Sequence, residues 1–205
     1  IVTKHKSGFI KYLDNKFKTY FTSSGYIATD KSKLIIQLQE QKNIFGYLKI
    51  GVTEEGNEKI KHEVKAIRIL QEIISLNIID YGTYNNHMYF ISEGLKGNIG
   101  FPKEDKIHHV LKKLERDQTY NYIEHPRVIH IRQDLERIKI EKYKKIFNSI
   151  IISKKLKLVY EHGDFAPWNL VEKDNQLDMY DFEYFVEDGI QHFDLIKYYY
   201  QIEVL

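Results

Sequence analysis

The stretch that decides how this sequence is interpreted is His162-Gly163-Asp164-Phe165-Ala166-Pro167-Trp168-Asn169, followed by Asp181-Phe182-Glu183. Three of its side chains have a chemical role available to them: Asp164, Asn169 and Asp181. Mg²⁺ prefers oxygen ligands, and an Asp carboxylate with an Asn carbonyl supplies them. A second carboxylate nearby can accept the proton of an attacking hydroxyl group. The residue types therefore suit phosphoryl transfer.

A short β-hairpin is predicted between these two motifs. Apolar residues on both sides flank a polar turn at Lys173-Asp174-Asn175-Gln176, the pattern of two strands joined by a tight turn. A hairpin brings its ends together, so Asn169 at its start and Asp181 at its end are expected to lie side by side. Asp164 lies on the loop that leads into the first strand.

The order and spacing of these residues match a known signature. Protein kinases carry H-R-D-x-x-x-x-N followed by D-F-G, and this chain reads H-G-D-x-x-x-x-N followed by D-F-E. It resembles the kinase-like small-molecule phosphotransferases, the superfamily of aminoglycoside phosphotransferase and choline kinase. The wording H-G-D-F-x-P-W-N is similar to a bacterial branch known as the phosphotransferase enzyme family.

The resemblance implies an α+β, bilobal, protein-kinase-like fold. A small lobe made of an antiparallel sheet with one helix would bind the nucleotide and occupy residues 1–94. A mainly helical catalytic lobe would occupy residues 95–205. Members of the family usually carry more helices after this point, so either the chain is a short member or its acceptor-binding C-terminal part is absent.

Bulk properties exclude several classes. The 205 residues carry a net charge of +2, which does not argue for a nucleic-acid partner, and zero Cys excludes a disulfide framework or a Cys-based metal site. No run approaches the roughly eighteen apolar residues of a membrane span, and no signal-peptide pattern is present. An ATP user of this kind is expected in the cytoplasm. Because the chain starts at Ile1 rather than Met, the sequence does not fix the true N-terminus.

The first lobe is expected to begin with a short helix or strand within residues 1–22. Ser23-Ser24-Gly25-Tyr26 predicts a turn, and 41–43 a second one, around alternating strands at 33–39 and 46–51. In kinase-like folds a loop between the first strands covers the nucleotide phosphates, and the resemblance places Ser24 and Gly25 there. The chain lacks G-x-G-x-x-G, however, and a Ser-Ser-Gly turn alone is usually only a turn.

Lys49 lies within a predicted strand, between Leu48 and Ile50, where a charged side chain packs poorly. It resembles the strand lysine that contacts the α- and β-phosphates. The alternative is a solvent-facing Lys on an edge strand.

A helix from about Glu58 to Ser75 is predicted after Lys49, with Asn57 as its N-cap and an apolar stripe at Ile60, Val64, Ile67, Leu70 and Ile74. Glu63 falls on the stripe side, and an inward carboxylate needs a partner. Lys49 is the expected one, as in the family. Glu58 and His62 are less favoured candidates, and a solvated Glu63 is the alternative.

Two further strands are predicted at 78–82 and 88–92 around an Asn85-Asn86 turn. Glu93 follows the second strand, where a kinase-like chain crosses between its lobes. Backbone groups near Ser92 to Leu95 would bind adenine there, so Glu93 marks the predicted base site.

Helices are predicted at 105–118 and 130–152 in the second lobe. The inward residues of the first are Ile107, Val110, Leu111 and Leu114, and those of the second are Ile131, Leu135, Ile138, Ile146 and Ile150. Residues 103–157 hold fifteen Lys or Arg against eight Asp or Glu. This excess argues against a polycationic acceptor such as an aminoglycoside and favours a neutral or anionic one, for instance a sugar.

Aromatic residues that either line an acceptor pocket or belong to the core are Tyr120, Tyr122, Trp168 and Tyr184. The histidines at 108, 109, 125 and 130 lack metal-ligand spacing and are expected at the surface or in packing.

A strand at 156–160 would deliver the catalytic loop, and a final helix opens near Phe193. In the family an Asp at the position of Asp194 binds the backbone of that loop, although a helix N-cap explains Asp194 equally well. His162 would shape the loop rather than do chemistry.

The function implied is transfer of the γ-phosphate of ATP, or alternatively GTP, to a hydroxyl group of a small molecule. Mg²⁺ would lie on Asn169 and Asp181, and Asp164 would accept the hydroxyl proton. Gly163 replaces the Arg that pairs with an activation-loop phosphate, which disfavours a protein kinase. The alternative is an inactive kinase-like module that binds a nucleotide or a partner. The sequence does not fix the oligomeric state.

Overall fold

A computed structural model describes residues 7–28, 31–138, 141, 142, 145, 155–174 and 176–204. Its helices are α1 (Gly8–Phe17), α2 (Glu54–Ile69), α3 (Glu104–Lys113), α4 (Pro126–Ile138) and α5 (Phe193–Val204), with 3₁₀ turns at Tyr122–Glu124 and Pro167–Asn169. Its strands are β1 (Phe21–Ile27), β2 (Lys33–Glu40), β3 (Asn43–Gly51), β4 (Ile78–Tyr84), β5 (His87–Ser92), β6 (Asn98–Ile99), β7 (Glu115–Asn121), β8 (Lys155–Glu161), β9 (Leu170–Lys173), β10 (Gln176–Met179) and β11 (Val186–Ile190). The predicted α+β class is confirmed.

The N-terminal part is built on a five-stranded antiparallel sheet in the order β1-β2-β3-β5-β4. The four strands predicted after residue 30 are all present. The β4–β5 connection is a tight turn in which Asn85 and Asn86 have φ of 48° and 66°, a conformation that Asn tolerates well. Lys49 lies on the central strand β3, opposite Ile35 on one side and Phe90 on the other.

The turn predicted at 23–26 is wrong. These residues lie inside β1, where Ser24 pairs with Gln37 and Gly25 pairs with Ile36 of β2. A Cβ at Gly25 would come within 2.9 Å of the Ile35 carbonyl oxygen. Gly25 therefore serves the close approach of two strands, of which β1 ends at Ile27 and β2 begins at Lys33.

Two of the described helices, α1 and α2, pack on this sheet. The family resemblance implied one helix there, and the short helix or strand expected within residues 1–22 is α1. The Ser7 side chain caps α1 by accepting from the Ile10 backbone N–H at 3.2 Å. Phe9, Ile10 and Leu13 of this helix are buried against the sheet. Their sheet partners are Phe21, Leu38, Leu48, Tyr89 and Ile91. The aromatic residues near the start of the sequence therefore complete the core of the N-terminal part.

Helix α2 begins and ends earlier than predicted. Thr53, rather than Asn57, is its N-cap and accepts from the Gly56 N–H at 3.0 Å. Asn57 instead binds the β4–β5 hairpin, donating to the Asn86 carbonyl and accepting from the Met88 N–H. Because that hairpin is distant in sequence, the local cap pattern was misleading. The helix ends at Ile69 rather than Ser75, although Ile74 remains buried.

The C-terminal part contains more strand than predicted. Helix α3 ends at Lys113, and residues 115–118, predicted as helix, belong to β7, which pairs with β8. Helix α4 begins at Pro126, a residue favoured at a first helical position, and is described to Ile138. The remainder of the helix predicted to 152, with Ile146 and Ile150, lies outside the described residues except for helical positions 141, 142 and 145.

Two three-stranded antiparallel sheets position the catalytic stretch, in the orders β10-β9-β6 and β11-β8-β7. The predicted hairpin is β9 and β10, although Asn175 in its turn lies outside the described residues. A buried cluster joins α2, through Ile60 and Val64, to Phe165 and Phe182 of the catalytic stretch. Within the described ranges no helix has the length and apolar composition of a membrane span.

Gly56→Ala tests how tightly α2 is held on the sheet. Ala usually stabilises a helix relative to Gly by roughly 0.5–1 kcal/mol, but a Cβ here would lie 2.0 Å from the Ser32 carbonyl oxygen. We expect this clash to lower the free energy of unfolding by about 1–3 kcal/mol, measured by urea denaturation. Glu55→Ala, at an exposed position in the same turn, should change it by no more than about 0.5 kcal/mol. A stabilised Gly56→Ala variant would contradict the packing.

Candidate active site

The catalytic loop is held by a carboxylate from the last helix. Asp194 accepts hydrogen bonds from the backbone N–H of His162 at 2.7 Å and of Gly163 at 3.0 Å. It lies inside the first turn of α5, so it is not the N-cap of that helix. The contact implied by the family resemblance is therefore present. Burial raises the pKa of Asp194 to about 7, against the opposing effect of the two backbone donors.

Gly163 is required by the backbone at this point. Its φ of +78° lies in the left-handed region, and a Cβ would come within 2.0 Å of the Tyr184 carbonyl oxygen. Any side chain would therefore push the loop away from the segment that follows the D-F-E triplet.

His162 joins the catalytic loop to the end of the hairpin. Its Nδ1 accepts from the Asp164 backbone N–H at 3.2 Å, which leaves Nε2–H to donate to the Tyr180 carbonyl at 2.9 Å. Burial lowers the pKa of His162 to about 4, so the ring is neutral near pH 7. It connects backbone segments on either side of the site, and its role in shaping the loop stays a prediction.

Asp164 has a different partner on each carboxylate oxygen. The Asn169 side-chain amide donates to Oδ2 at 3.1 Å and also to the Asp164 carbonyl at 2.9 Å. The Lys197 ammonium lies 3.2 Å from Oδ1. The Asp164 side chain remains 25% exposed, so it can be reached from solvent.

Asn169 lies opposite Tyr180, the residue before Asp181, at the end of the hairpin. The Tyr180 N–H donates to the Asn169 carbonyl at 3.1 Å, which closes the hairpin next to Asp181. The Asn169 side-chain nitrogen donates to Asp164, so the Asn169 Oδ1 atom is the one that can bind a ligand. Lys49 contacts Asp181 Oδ1 at 2.7 Å, and no donor among the described residues contacts Asp181 Oδ2.

Lys49 is bound by two carboxylates. Its ammonium lies 2.6 Å from Glu63 Oε1 and 2.7 Å from Asp181 Oδ1, and the Glu63 side chain is only 1% exposed. The alternative partners are engaged elsewhere, since Glu58 pairs with Lys61 and His62 contacts the Phe185 carbonyl.

The charges in this group depend on one another. Burial opposes the charge of Lys49, but Glu63 and Asp181 outweigh it and raise the pKa of the ammonium. Burial also opposes ionisation of Asp181, but Lys49 outweighs it and lowers the pKa of that carboxyl. The pKa of Glu63 is raised because burial exceeds the attraction of Lys49.

A cavity of about 230 Å³ opens onto this group. Its polar lining includes Lys49, Glu63, Asp181, Ser92 and Glu93. Its apolar wall consists of Ile35, Leu76, Phe90, Leu95, Ile99 and Val171. Polar and apolar parts in one cleft are typical of a site for a ligand with both characters. A larger cavity of about 490 Å³ lies between α3 and α5, but its lining lacks Asp164, Asn169 and Asp181.

Four predicted residues lie away from this centre. Ser24 and Gly25 are in β1 and do not line the cavity. Tyr120 and Tyr122 lie near His125, beside a separate small pocket. By contrast, Trp168 and Tyr184 flank the catalytic loop with their side chains 40% and 51% exposed.

Sequence reasoning missed Lys33. Its side chain is 3% exposed, and its ammonium donates to Glu183 of the D-F-E triplet. The strand register places Ile35 directly opposite Lys49. Side chains alternate along β2, so Lys33 lies on the same face of the sheet as Ile35 and is a diagonal neighbour of Lys49. The pairing register was the only signal that could have revealed the position of Lys33. Its sequence context is that of a polar residue at the start of a strand.

Lys197 was missed as well. It lies one helical turn after Asp194 in α5, contacts Asp164 and donates to the Gly163 carbonyl. Its sequence signal is the i, i+3 spacing from Asp194, which places both residues on one helix face.

His162→Gln should make stability less dependent on pH. The pKa of His162 is about 4 in the folded chain and about 6.5 when unfolded, so the unfolded chain binds more protons between these values. The free energy of unfolding is therefore highest, as far as this group is concerned, above pH 6.5, and it decreases as pH falls towards 4. Between pH 6.5 and 5 the wild type should lose about 2 kcal/mol through this group. Gln can form the same two hydrogen bonds without titrating.

Urea denaturation of both proteins at pH 7 and pH 5 measures this difference. Asp194 changes stability in the opposite direction, because its raised pKa makes the folded chain bind more protons as pH falls towards 4. Both proteins share that contribution, so it cancels in the comparison. Equal pH dependence in the two proteins would contradict a buried neutral His162.

The Lys33–Glu183 pair should show strong coupling in a double-mutant cycle. Removing one partner leaves a charge with little solvent, which typically costs about 3–5 kcal/mol. We expect Lys33→Met and Glu183→Gln each to lower the free energy of unfolding by a few kcal/mol, and the double variant to lose clearly less than their sum. Lys61→Met with Glu58→Gln, an exposed pair in α2, is the control and should couple by less than about 1 kcal/mol.

No family model matches the sequence, and no curated protein matches it either. Solved structures do match the fold. A macrolide 2′-phosphotransferase from Brachybacterium faecium has a TM-score of 0.60 at 12% identity, covering 86% of this chain and 71% of that chain. A choline kinase from Cryptosporidium parvum Iowa II has a TM-score of 0.54 at 16% identity, covering 89% and 63%. An amicoumacin kinase in complex with AMP-PNP and Ca²⁺ has a TM-score of 0.54 at 12% identity, covering 94% and 69%. The chain has the fold of the kinase-like small-molecule phosphotransferases.

Proposed function

We propose that this protein is a phosphotransferase that moves the γ-phosphate of ATP to a hydroxyl group of a small molecule, with Mg²⁺ as the metal. The observation that carries the proposal is the position of Lys49, which contacts both Glu63 and Asp181 at the edge of the cavity. A strand lysine held by a helix glutamate next to a metal-binding aspartate is the arrangement that kinase-type phosphoryl transfer uses. The amicoumacin kinase that shares the fold was solved with AMP-PNP and Ca²⁺.

The donor atoms suit Mg²⁺. Asn169 Oδ1 and Asp181 Oδ2 are both oxygens, and neither has a donor among the described residues. Mg²⁺ is usually bound by one or two carboxylates together with substrate phosphates, so these two side chains would hold it. When bound, the ion neutralises charge on the phosphate oxygens.

The nucleotide would occupy the 230 Å³ cavity. Lys49 would bind phosphate oxygens, and apolar side chains such as Phe90 and Leu95 would contact the base. The Glu93 N–H already donates to the Asn77 carbonyl at 3.0 Å. Among the backbone groups near Ser92 to Leu95 that would bind adenine, the Glu93 N–H is therefore already engaged. GTP is the alternative nucleotide.

Asp164 would act on the acceptor. Its carboxylate would orient the attacking hydroxyl and take its proton, while Asn169 and Asp194 keep the loop in position. Alignment of the reacting groups supplies much of the rate in phosphoryl transfer. His162 stays neutral and connects the backbone around the site.

A sugar or a related neutral or anionic compound is the acceptor class we favour. Lys and Arg exceed Asp and Glu across residues 103–157, which disfavours a polycationic aminoglycoside. An enzyme that uses ATP in this way would work in the cytoplasm.

Thermal unfolding with Mg²⁺ and ATP or GTP tests the nucleotide site. A nucleotide at about a hundred times its dissociation constant adds roughly 2.7 kcal/mol, a shift of a few degrees. We expect Asp181→Asn to lose the Mg²⁺-dependent shift. Asp174→Asn, the same charge change at an exposed site of the same hairpin, should keep it. Asp164→Asn should also keep it but lower turnover of a sugar acceptor, measured by ADP release, by about 10²–10⁴.

Each outcome discriminates between functions. No shift with either nucleotide in the wild type would contradict the proposal. A normal shift without ADP release from any of a panel of hydroxyl acceptors would favour the inactive nucleotide-binding module. Full activity per folded molecule in Asp164→Asn would exclude Asp164 as the proton acceptor.

A further inference from the structure

Lys197 places a positive charge on the acceptor side of the site. Its Nζ lies 3.2 Å from Asp164 Oδ1, donates to the Gly163 carbonyl and lies 5.9 Å from the centre of the Tyr184 ring. The side chain is 38% exposed, whereas that of Lys49 is 12% exposed. Lys197 is therefore both next to the reacting carboxylate and open to solvent.

The two lysines differ in their surroundings. Lys49 is shared by Glu63 and Asp181, so two negative groups compensate its charge. Lys197 has Asp164 as its carboxylate partner, and its other hydrogen bond goes to a neutral carbonyl. The Asp194 carboxyl group also attracts its charge. Lys197 therefore differs from Lys49 in its greater exposure, and its long flexible side chain can change partners.

We propose that Lys197 contacts the phosphoryl group during its transfer, an inference that rests on the proposed function. An acceptor oxygen that hydrogen-bonds Asp164 would lie about 2.6–3.2 Å from that carboxylate. The phosphorus would lie about 3–3.5 Å beyond the acceptor oxygen before reaction. An ammonium already in contact with the same carboxylate reaches a phosphoryl oxygen by rotating its side chain.

Lys197 neither forms nor breaks a covalent bond in this reaction. The acceptor oxygen forms a bond to the γ-phosphorus, and the bond from that phosphorus to the β,γ-bridging oxygen breaks with its electron pair leaving on ADP. The hydroxyl proton passes to the Asp164 carboxylate. Asp164 thereby loses its negative charge, so its attraction for Lys197 falls while the phosphoryl oxygens still carry theirs. The ammonium stays protonated and stabilises that charge.

The test uses a mimic of the transferring group. Aluminium fluoride with Mg²⁺ and ADP imitates the planar, charged phosphoryl group, and no acceptor needs to be known. We expect aluminium fluoride to add several degrees to the unfolding temperature of the wild type beyond Mg²⁺ and ADP alone. Lys197→Met should keep the shift from Mg²⁺ and ADP and lose the increment. Lys197→Arg should restore most of it.

Two further variants separate charge from structure. Lys197→Gln keeps a donor for the Gly163 carbonyl but removes the charge, so it should also lose the increment; it serves as the test if Lys197→Met does not fold. Lys65→Met removes an exposed Lys paired with Glu187 and should keep the full increment.

The results distinguish the two proposals. An aluminium fluoride increment that persists in Lys197→Met or Lys197→Gln overturns the inference and leaves the proposed function intact. An increment missing from the wild type, with a normal Mg²⁺ and ADP shift, also overturns only the inference. If Mg²⁺ and ADP cause no shift in the wild type, the proposed function itself fails.

Discussion

The ammonium of Lys49 holds together parts of the chain that are distant in sequence. Its partners Glu63 and Asp181 come from a helix packed on the sheet and from the far end of a hairpin. A charge this well buried needs its partners, since an uncompensated one costs several kcal/mol. A single cation therefore joins β3, α2 and the end of the hairpin. Lys33 and Glu183 repeat the arrangement one strand away, so two ion pairs join the sheet to the D-F-E segment.

Much of the site follows from short-range sequence patterns. The hairpin itself was predicted because strand pairing is local there, and it brings Asn169 opposite Tyr180, next to Asp181 in the chain. Glu63 was found because helical periodicity places it on the stripe of Ile60 and Val64, and its burial is nearly complete. The contact of Asp194 with the catalytic loop followed from the family resemblance rather than from periodicity. The roles of these residues in catalysis remain predictions.

The features that were missed depend on contacts between distant segments. The Ser-Ser-Gly run has the composition of a turn, yet pairing with β2 makes it a strand. Asn57 has the features of an N-cap, but its side chain binds a hairpin some thirty residues away. Residues 115–118 continue the helical sequence pattern of α3, but they form a strand because they pair with β8. The positions of Lys33 and Lys197 near the site are recognisable only from their partners Glu183 and Asp164, which are distant in sequence.

The burial of α2 has a consequence for movement of this helix. Its residues Ile60, Val64 and Ile67 belong to the same apolar cluster as Phe165 and Phe182, which directly follow Asp164 and Asp181 in the sequence. Swinging this helix outward would expose that cluster to water at about 25 cal/mol per Å², and would also separate Lys49 from Glu63. An outward movement of α2 therefore has two costs, one from the exposure of apolar surface and one from the separation of the ion pair. Both costs favour the position that the helix has in this structure.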